Sequence, residues 1–276
     1  MLTVGNIIPL FLEKINNYSD KELISIAYIV IEEILGLNKI NVIINNANVI
    51  STNDEVKIDE IIKDLIANKP IQYILGKANF FNLSFIVNKH VLIPRQETEQ
   101  LINWILNYEF NSVLDIGTGS ACIPISLAKN STANITAIDI SSNAIKIAKK
   151  NADNYNLNIT FLCEDIFKFN PDSKFDLIVS NPPYVLESEM KKMHKNVLNF
   201  EPHNALFVED SDPLIFYNYI AQFAFKYLNS KGALFFEINE SFGVEIKLIL
   251  NKLDFVNIEL KKDLNGKDRM IKAIKK

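Results

Sequence analysis

The stretch Val113-Leu-Asp-Ile-Gly-Thr-Gly-Ser120 decides how the chain reads. A short apolar run carrying one acid stops at two glycines separated by a single residue. Residues 120–129 then have helical spacing, with Pro124 in the first turn or just past it, where its missing N–H matters least. A strand, a glycine turn and a helix open a βα unit, and the pattern continues downstream. Ile135-Thr-Ala-Ile-Asp-Ile is a second strand, followed by a helix over residues 142–155. Residues 159–163, 175–180 and 232–238 make three more strands, and a helix over 242–253 precedes closing strands near 255–261 and 269–274. Alternation of this kind predicts a mostly parallel, doubly wound α/β sheet, and Asp263-Leu-Asn-Gly266 predicts a terminal hairpin.

Working outward toward the N-terminus, the texture becomes helical. Ser19-Asp-Lys-Glu22 is a capping box, and Leu23, Ile26, Ala27, Val30 and Ile34 follow at helical spacing up to Gly36. A further helix is expected over residues 54–67, with Ile58, Ile61, Ile62 and Leu65 as its buried stripe. The β-rich residues around Asn82 suggest a short hairpin. Tyr73 and Phe80 read as packing residues.

The 276 residues include 48% apolar and 22% charged side chains, enough to bury a core in one large or two unequal domains. A net charge of −4 argues against a large nonspecific grip on nucleic acid. Cys122 and Cys163 both lie in apolar patterns and read as buried free thiols. His90, His194 and His203 have no metal-ligand spacing. With neither a leader pattern nor a long apolar run, a reduced, soluble, cytoplasmic protein is expected.

Chemistry in such sheets gathers at the carboxyl ends of the strands. The first strand ends in Asp115-Ile-Gly-Thr-Gly-Ser120, where glycines allow close approach of backbone to a ligand. Cys122 stands where the third glycine of a dinucleotide fingerprint belongs. Asp139 tips the second strand, placed either to bind a ribose hydroxyl pair or to cap the next helix. Asp165, after the third strand, is placed to accept from an exocyclic adenine amine. Together these ends indicate a nucleoside. An acid before the glycines, without a pyrophosphate-binding helix signature, favours S-adenosyl-L-methionine (AdoMet) over NAD.

The fourth strand ends in Asn181-Pro-Pro-Tyr184. A conjugated amino group is a poor nucleophile, so a catalyst must bind its two hydrogens and aim its nitrogen. The side-chain carbonyl of Asn181 and the backbone carbonyl of Pro182 offer two acceptors. Pro182 and Pro183 hold them rigid, and Tyr184 offers a face on which a flat amide or base can stack. The tetrapeptide specifies an amino group and leaves base and amide open.

With Asp115-Ile-Gly-Thr-Gly-Ser120 ahead of it, Asn181-Pro-Pro-Tyr184 resembles the class I amino-group methyltransferases. Pro70-Ile-Gln-Tyr-Ile-Leu-Gly76, Val91-Leu-Ile-Pro-Arg-Gln-Glu-Thr-Glu99, Phe200-Glu-Pro-His-Asn-Ala-Leu206 and Asp263-Leu-Asn-Gly-Lys-Asp-Arg269 are similar to segments of the HemK/PrmC protein-(glutamine-N5) methyltransferases. The matches run in order from about residue 20 to 275. The resemblance implies a Rossmann-like class I fold with a mostly parallel seven-stranded sheet and a terminal antiparallel hairpin. It implies a helical substrate-recognition domain over residues 1–76, a hairpin linker over 77–92 and the methyltransferase domain over 93–276. It further implies methyl transfer from AdoMet to the glutamine of the Gly-Gly-Gln motif of peptide chain release factors, leaving S-adenosyl-L-homocysteine. A monomer with no membrane or nucleic-acid partner is expected.

Carried over by position, Gly117, Thr118, Gly119, Ser120, Ala121 and Asp139 would contact AdoMet, and Ile166 would line the adenine pocket. Asn181 would touch cofactor and substrate, and Asn181 to Tyr184 would hold the glutamine amide. The chain departs from the family pattern at Ala121, usually glycine, at Ile166, where an aromatic can stand, and at Gln96, usually proline. Arg95 and Glu97 either serve the site or order its loop. The rival readings are a DNA adenine-N6 or RNA guanine-N2 methyltransferase using the same tetrapeptide, and a non-catalytic AdoMet-binding module. The first lacks a basic, aromatic-rich recognition region here, and the second leaves the proline turn without purpose.

Overall fold

The computed structural model describes all residues, Met1–Lys276, and its contacts divide them into two units. One comprises Met1–Leu75 with His194–Phe200, the other Gly76–Met193 with Glu201–Lys276.

The first unit is helical: α1 (Ile7–Lys14), α2 (Asp20–Leu35), α3 (Lys39–Ile44), α4 (Thr52–Ile66) and α5 (Ile71–Leu75). Side-chain oxygens cap three of these starts, since Ser19, Asn38 and Ser51 accept from the amides of Glu22, Asn41 and Asp54. Gly36, at φ 68°, ends α2 in the left-handed conformation that glycine adopts without strain. The stripe Leu23, Ile26, Ala27 and Val30 meets Ile58, Ile61, Ile62 and Leu65 in the unit's own core.

The second unit opens with the hairpin β1 (Lys77–Phe80) and β2 (Leu83–Ile86). Tyr155 and Asn151 bind it to the sheet unit, Tyr155 through the amide and carbonyl of Ser84 and Asn151 through those of Ile86. The segment expected as a linker therefore groups with the sheet. Next come α6 (Gln96–Ile105), β3 (Ser112–Ile116), α7 (Cys122–Asn130), β4 (Asn134–Asp139), α8 (Ser142–Asn154), β5 (Thr160–Cys163) and β6 (Phe175–Ser180). The chain continues through β7 (Val185–Leu186), α9 (Lys195–Phe200), β8 (Phe207–Val208), α10 (Ile215–Tyr227), β9 (Leu228–Glu237), α11 (Gly243–Lys252), β10 (Phe255–Lys262) and β11 (Asp268–Lys275).

Seven strands form one sheet in the order β10-β11-β9-β6-β3-β4-β5, parallel from β9 to β5 and antiparallel at the β11 and β10 end. From β3 the chain winds outward through β4 to β5, then returns to place β6 on the other side of β3. Strand order thus reverses between β3 and β6, the crevice where open α/β sheets bind ligands. Apolar residues such as Leu114, Ile178 and Leu234 fill the centre because parallel strands are covered on both faces. Cys163 is exposed, not buried, because β5 is the sheet's edge and has a strand on one side only. No helix is long and apolar enough to cross a membrane.

Candidate active site

A cavity of about 390 Å³ opens at the carboxyl ends of β3, β4 and β6. Gly117, Thr118, Gly119, Ser120, Asp139, Asp165, Ile166, Asn181, Pro182 and Pro183 line it, with Arg95 and Thr98 from the start of α6. Asp115, Ala121 and Tyr184 stand outside the lining.

The wall after β3 is built from backbone. The amides of Gly117 and Thr118 donate to the Ile138 carbonyl at 2.9 and 3.0 Å, which draws the loop across β4. Gly117 (φ 77°) and Gly119 (φ 53°) turn through the left-handed region. A Cβ on Gly117 would come 4.0 Å from the Asn181 carbonyl, so the β3 and β6 loops nearly meet there. Ala121 caps α7 at φ 64°, a conformation that costs an L-residue roughly 1–2 kcal/mol and explains why glycine suits this position.

Asp139 organises the adjoining loop. Its Oδ2 accepts from the Gly119 amide (2.9 Å) and its Oδ1 from Ser141 (2.8 Å). The capping of α8 falls instead to the Ser141 hydroxyl, which accepts from Ala144. A carboxylate has about four lone-pair sites, so Asp139 retains capacity for a ligand. Burial raises its pKa against the two amide hydrogen bonds. Asp165 Oδ1 accepts from Phe167 N at 3.0 Å, and Ile166 is buried in the wall.

Asp115 lies beneath this loop, fully buried, with neither oxygen hydrogen-bonded. The Thr118 hydroxyl is buried and equally unpartnered. Burial pushes the Asp115 carboxyl from 3.8 up to about 7, opposed by the nearby Thr118 hydroxyl and aided by Asp139. Unpartnered buried polar groups are uncommon, and here two lie under a loop of exposed backbone. Positive-φ glycines that bare the backbone, and the Asp139 carboxylate with spare acceptors, line the cavity and fit a polar nucleoside. Cys122 also lines the cavity, and burial pushes its thiol up to about 12.

The wall after β6 is rigid and its outer attachments are complete. Pro182 is buried, while Asn181 and Pro183 are half-buried. The amides of Tyr184 and Val185 donate to the Leu206 carbonyl at 3.2 and 2.9 Å, and Asn239 Nδ2 donates to the Tyr184 carbonyl at 3.0 Å. The Tyr184 hydroxyl donates to Glu237 Oε1 (3.1 Å), and its ring packs on the sheet core. Tyr184 itself is half-buried and outside the cavity lining, with the Arg269 guanidinium 5.9 Å from its ring centroid. Burial, first, and the Glu237 carboxylate keep that phenol well above its ordinary pKa, so it remains a donor.

Arg95 Nη2 pairs with buried Glu201 Oε1 at 2.7 Å, and Glu201 Oε2 accepts from Ile93 N at 3.2 Å. Arg95 thus orders the loop and lines the cavity at once. Thr98 and Glu201 lie in the segments Val91–Glu99 and Phe200–Leu206 that carry the resemblance but have no role assigned by it, and Glu237 and Asn239 lie in no motif. An acid closing the apolar run Leu234-Phe-Phe-Glu237 was the available signal, since Asp115 and Asp139 also punctuate apolar strands.

A family model described as the methyltransferase small domain matches residues 96–206, and one described as the PrmC N-terminal domain matches residues 12–76. A release factor glutamine methyltransferase of Flavobacterium psychrophilum is 45% identical over 265 residues, covering 93% of each chain. That of Bacteroides thetaiotaomicron is 39% identical, covering 93% of this chain and 94% of its own. Among solved structures, a Pyrococcus furiosus methyltransferase superposes with TM-score 0.54 at 18% identity, over 82% of this chain and 99% of that one. A Thermus thermophilus 16S rRNA N2 methyltransferase, solved with AdoMet and guanosine, gives 0.51 at 15% identity, over 72% of this chain and 50% of that one. These two establish likeness of fold.

Proposed function

The chain belongs to the release factor glutamine methyltransferase family, and on that premise we propose that it methylates the side-chain amide of the glutamine in the Gly-Gly-Gln motif of peptide chain release factors. The observation that carries this reading is a single cavity lined both by the Gly117–Ser120 loop with Asp139 and by Asn181-Pro182-Pro183.

AdoMet, once bound, supplies an electrophilic methyl group on a sulfonium. Gly117, Thr118, Gly119, Ser120 and Asp139 would hold it, with Asp165 and Ile166 toward the base, Asn181 near the reacting end, and Asp115 and Ala121 shaping the loop from behind. The chain's own task is to present a nitrogen whose lone pair is delocalised into its carbonyl. The side-chain oxygen of Asn181 and the carbonyl of Pro182 accept the two amide hydrogens, so the nitrogen is aimed and bond rotation is restricted. Pro183 and Tyr184 keep both acceptors in place. No general base is required before transfer, because the alkylated nitrogen is strongly acidic and sheds its proton afterwards. Placement and exclusion of water therefore supply most of the rate.

The helical unit is the candidate for holding the release factor, and α3 exposes Ile40, Ile43 and Ile44. The test offers labelled AdoMet to a release factor, to its variant with the motif glutamine replaced, and to duplex DNA. Label in the intact factor alone is expected. Label in the DNA and none in the factor would overturn the reading.

A further inference from the structure

Glu237 closes β9 with a carboxylate that is 1% exposed. Its Oε1 accepts from the Tyr184 hydroxyl at 3.1 Å and its Oε2 from the Thr98 hydroxyl at 2.6 Å. Neither partner belongs to its strand. Tyr184 ends the proline turn, and Thr98 sits in the first turn of α6 and lines the cavity. One buried carboxylate thus ties the turn after β6 to a wall of the site.

The fold does not require a charge at this place. β9 is bonded on one edge to β6 and on the other to β11, and α6 already meets it through Trp104 edge-on to Phe235 at 5.3 Å. Burying a carboxylate is costly, and an apolar side chain of similar size would complete the core more cheaply. What the carboxylate adds is direction. Main-chain hydrogen bonds fix the peptide planes of Tyr184, but only Glu237 hydrogen-bonds the phenol. The prolines fix φ at residues 182 and 183, so what is left to set at the end of the turn is the direction of the Tyr184 side chain.

We propose that Glu237 is a positioning residue for methyl transfer, holding the Tyr184 phenol and through it the Asn181 and Pro182 carbonyls in the orientation the substrate amide needs. The proposal rests on the function argued above. It assigns Glu237 no contact with substrate. Its effect passes through Tyr184 and not through its other partner, Thr98 on α6.

The test is a double-mutant cycle on single-turnover transfer to a release factor at saturating AdoMet. Glu237→Gln keeps the size but leaves one oxygen for two hydroxyls, and Tyr184→Phe removes one of the hydroxyls. Glu237→Gln should lower the rate about 30-fold and Tyr184→Phe about 10-fold, while the double variant is slower than the worse single by no more than about twofold. KM for AdoMet should stay within about twofold of wild type. Thr98→Val removes the other hydroxyl on Glu237, and its effect should multiply with that of Tyr184→Phe instead of merging with it. A Glu237→Gln rate within about twofold of wild type, or effects of Glu237→Gln and Tyr184→Phe that multiply, would overturn the proposal. Should Glu237→Gln fail to fold, Tyr184→Phe decides alone, an unchanged rate counting against it.

A second readout needs no substrate. Fluorotyrosine placed at position 184 should give one sharp 19F resonance in the wild-type background and a shifted or broadened one with Glu237→Gln. An unmoved signal would overturn the proposal. If wild-type protein transfers no methyl to a release factor, the functional reading fails, and the fluorine signal still decides the role of Glu237.

Discussion

The two walls of the cavity are finished in different ways. After β3, the loop is backbone on glycines, and the Asp115 carboxyl and the Thr118 hydroxyl beneath it lie near each other without a well-formed hydrogen bond. After β6, the turn is locked by two prolines, and the polar groups that anchor Tyr184 are all engaged, by Leu206, Asn239 and Glu237. A wall with unspent polar capacity suits binding of a polar ligand. A wall whose freedom has already been removed suits aiming a weak nucleophile, because little ordering remains at the moment of reaction. We propose that adjacent strand ends divide the labour of one cavity.

The hardest blow to this division falls on the aiming wall. Asn181→Ala should cut the transfer rate about 10³-fold, as loss of a preorganised polar partner does elsewhere, while AdoMet affinity falls far less. Single-turnover kinetics and calorimetry on the same preparation check it. On the binding wall, Asp139→Ala removes the acceptor of the Gly119 and Ser141 amides, and AdoMet affinity should fall about 30-fold. Transfer at saturating AdoMet should change by no more than about threefold, given that this carboxylate lies away from the amide acceptors.

Asp115 sharpens the comparison through pH. Its folded pKa, about 7, lies above the ordinary 3.8, so the folded protein keeps a proton that the unfolded chain has released. Stability from this carboxyl is full below about pH 4 and is lost as pH rises toward 7. Asp115→Asn should therefore raise the melting temperature of the ligand-free protein by several degrees at pH 8, and the gain should vanish near pH 4. A constant gain at all pH values would show that the carboxyl is not the origin. The smallest effect is expected from Ala121→Gly. Relief of about 1 kcal/mol of left-handed strain is offset by ~0.8 kcal/mol for one buried methyl, so thermal melting should move by only a few degrees.

The fold and the turn after β6 could be read from the sequence because both depend on local rules. Glycines after an apolar run force a βα turn, and two prolines after another forbid the strand from continuing. Their meeting in one cavity follows from parallel strand order, which the alternation of elements already implies. Tyr184 was legible as an aromatic beside the site but not in its attachment. Its partner Glu237 lies 53 residues away and is brought close by the pairing of β6 with β9. The bond between Thr98 and Glu237 spans 139 residues and had no local signature at all. Cys163 misled because an apolar neighbourhood says nothing of whether a strand has one neighbour or two. The grouping of His194–Phe200 with the helical unit has no signature in the sequence, since six residues of helix carry too short a pattern to reveal which unit they belong to.

The most direct test crosses the two walls. AdoMet affinity and the single-turnover rate at saturating AdoMet are measured for Asn181→Ala and Asp139→Ala side by side with wild type. The account predicts that Asn181→Ala loses rate with affinity largely kept, and that Asp139→Ala loses affinity with rate largely kept. If both variants lose the same quantity, or each loses the quantity assigned to the other, the two walls do not divide the work and the account is wrong.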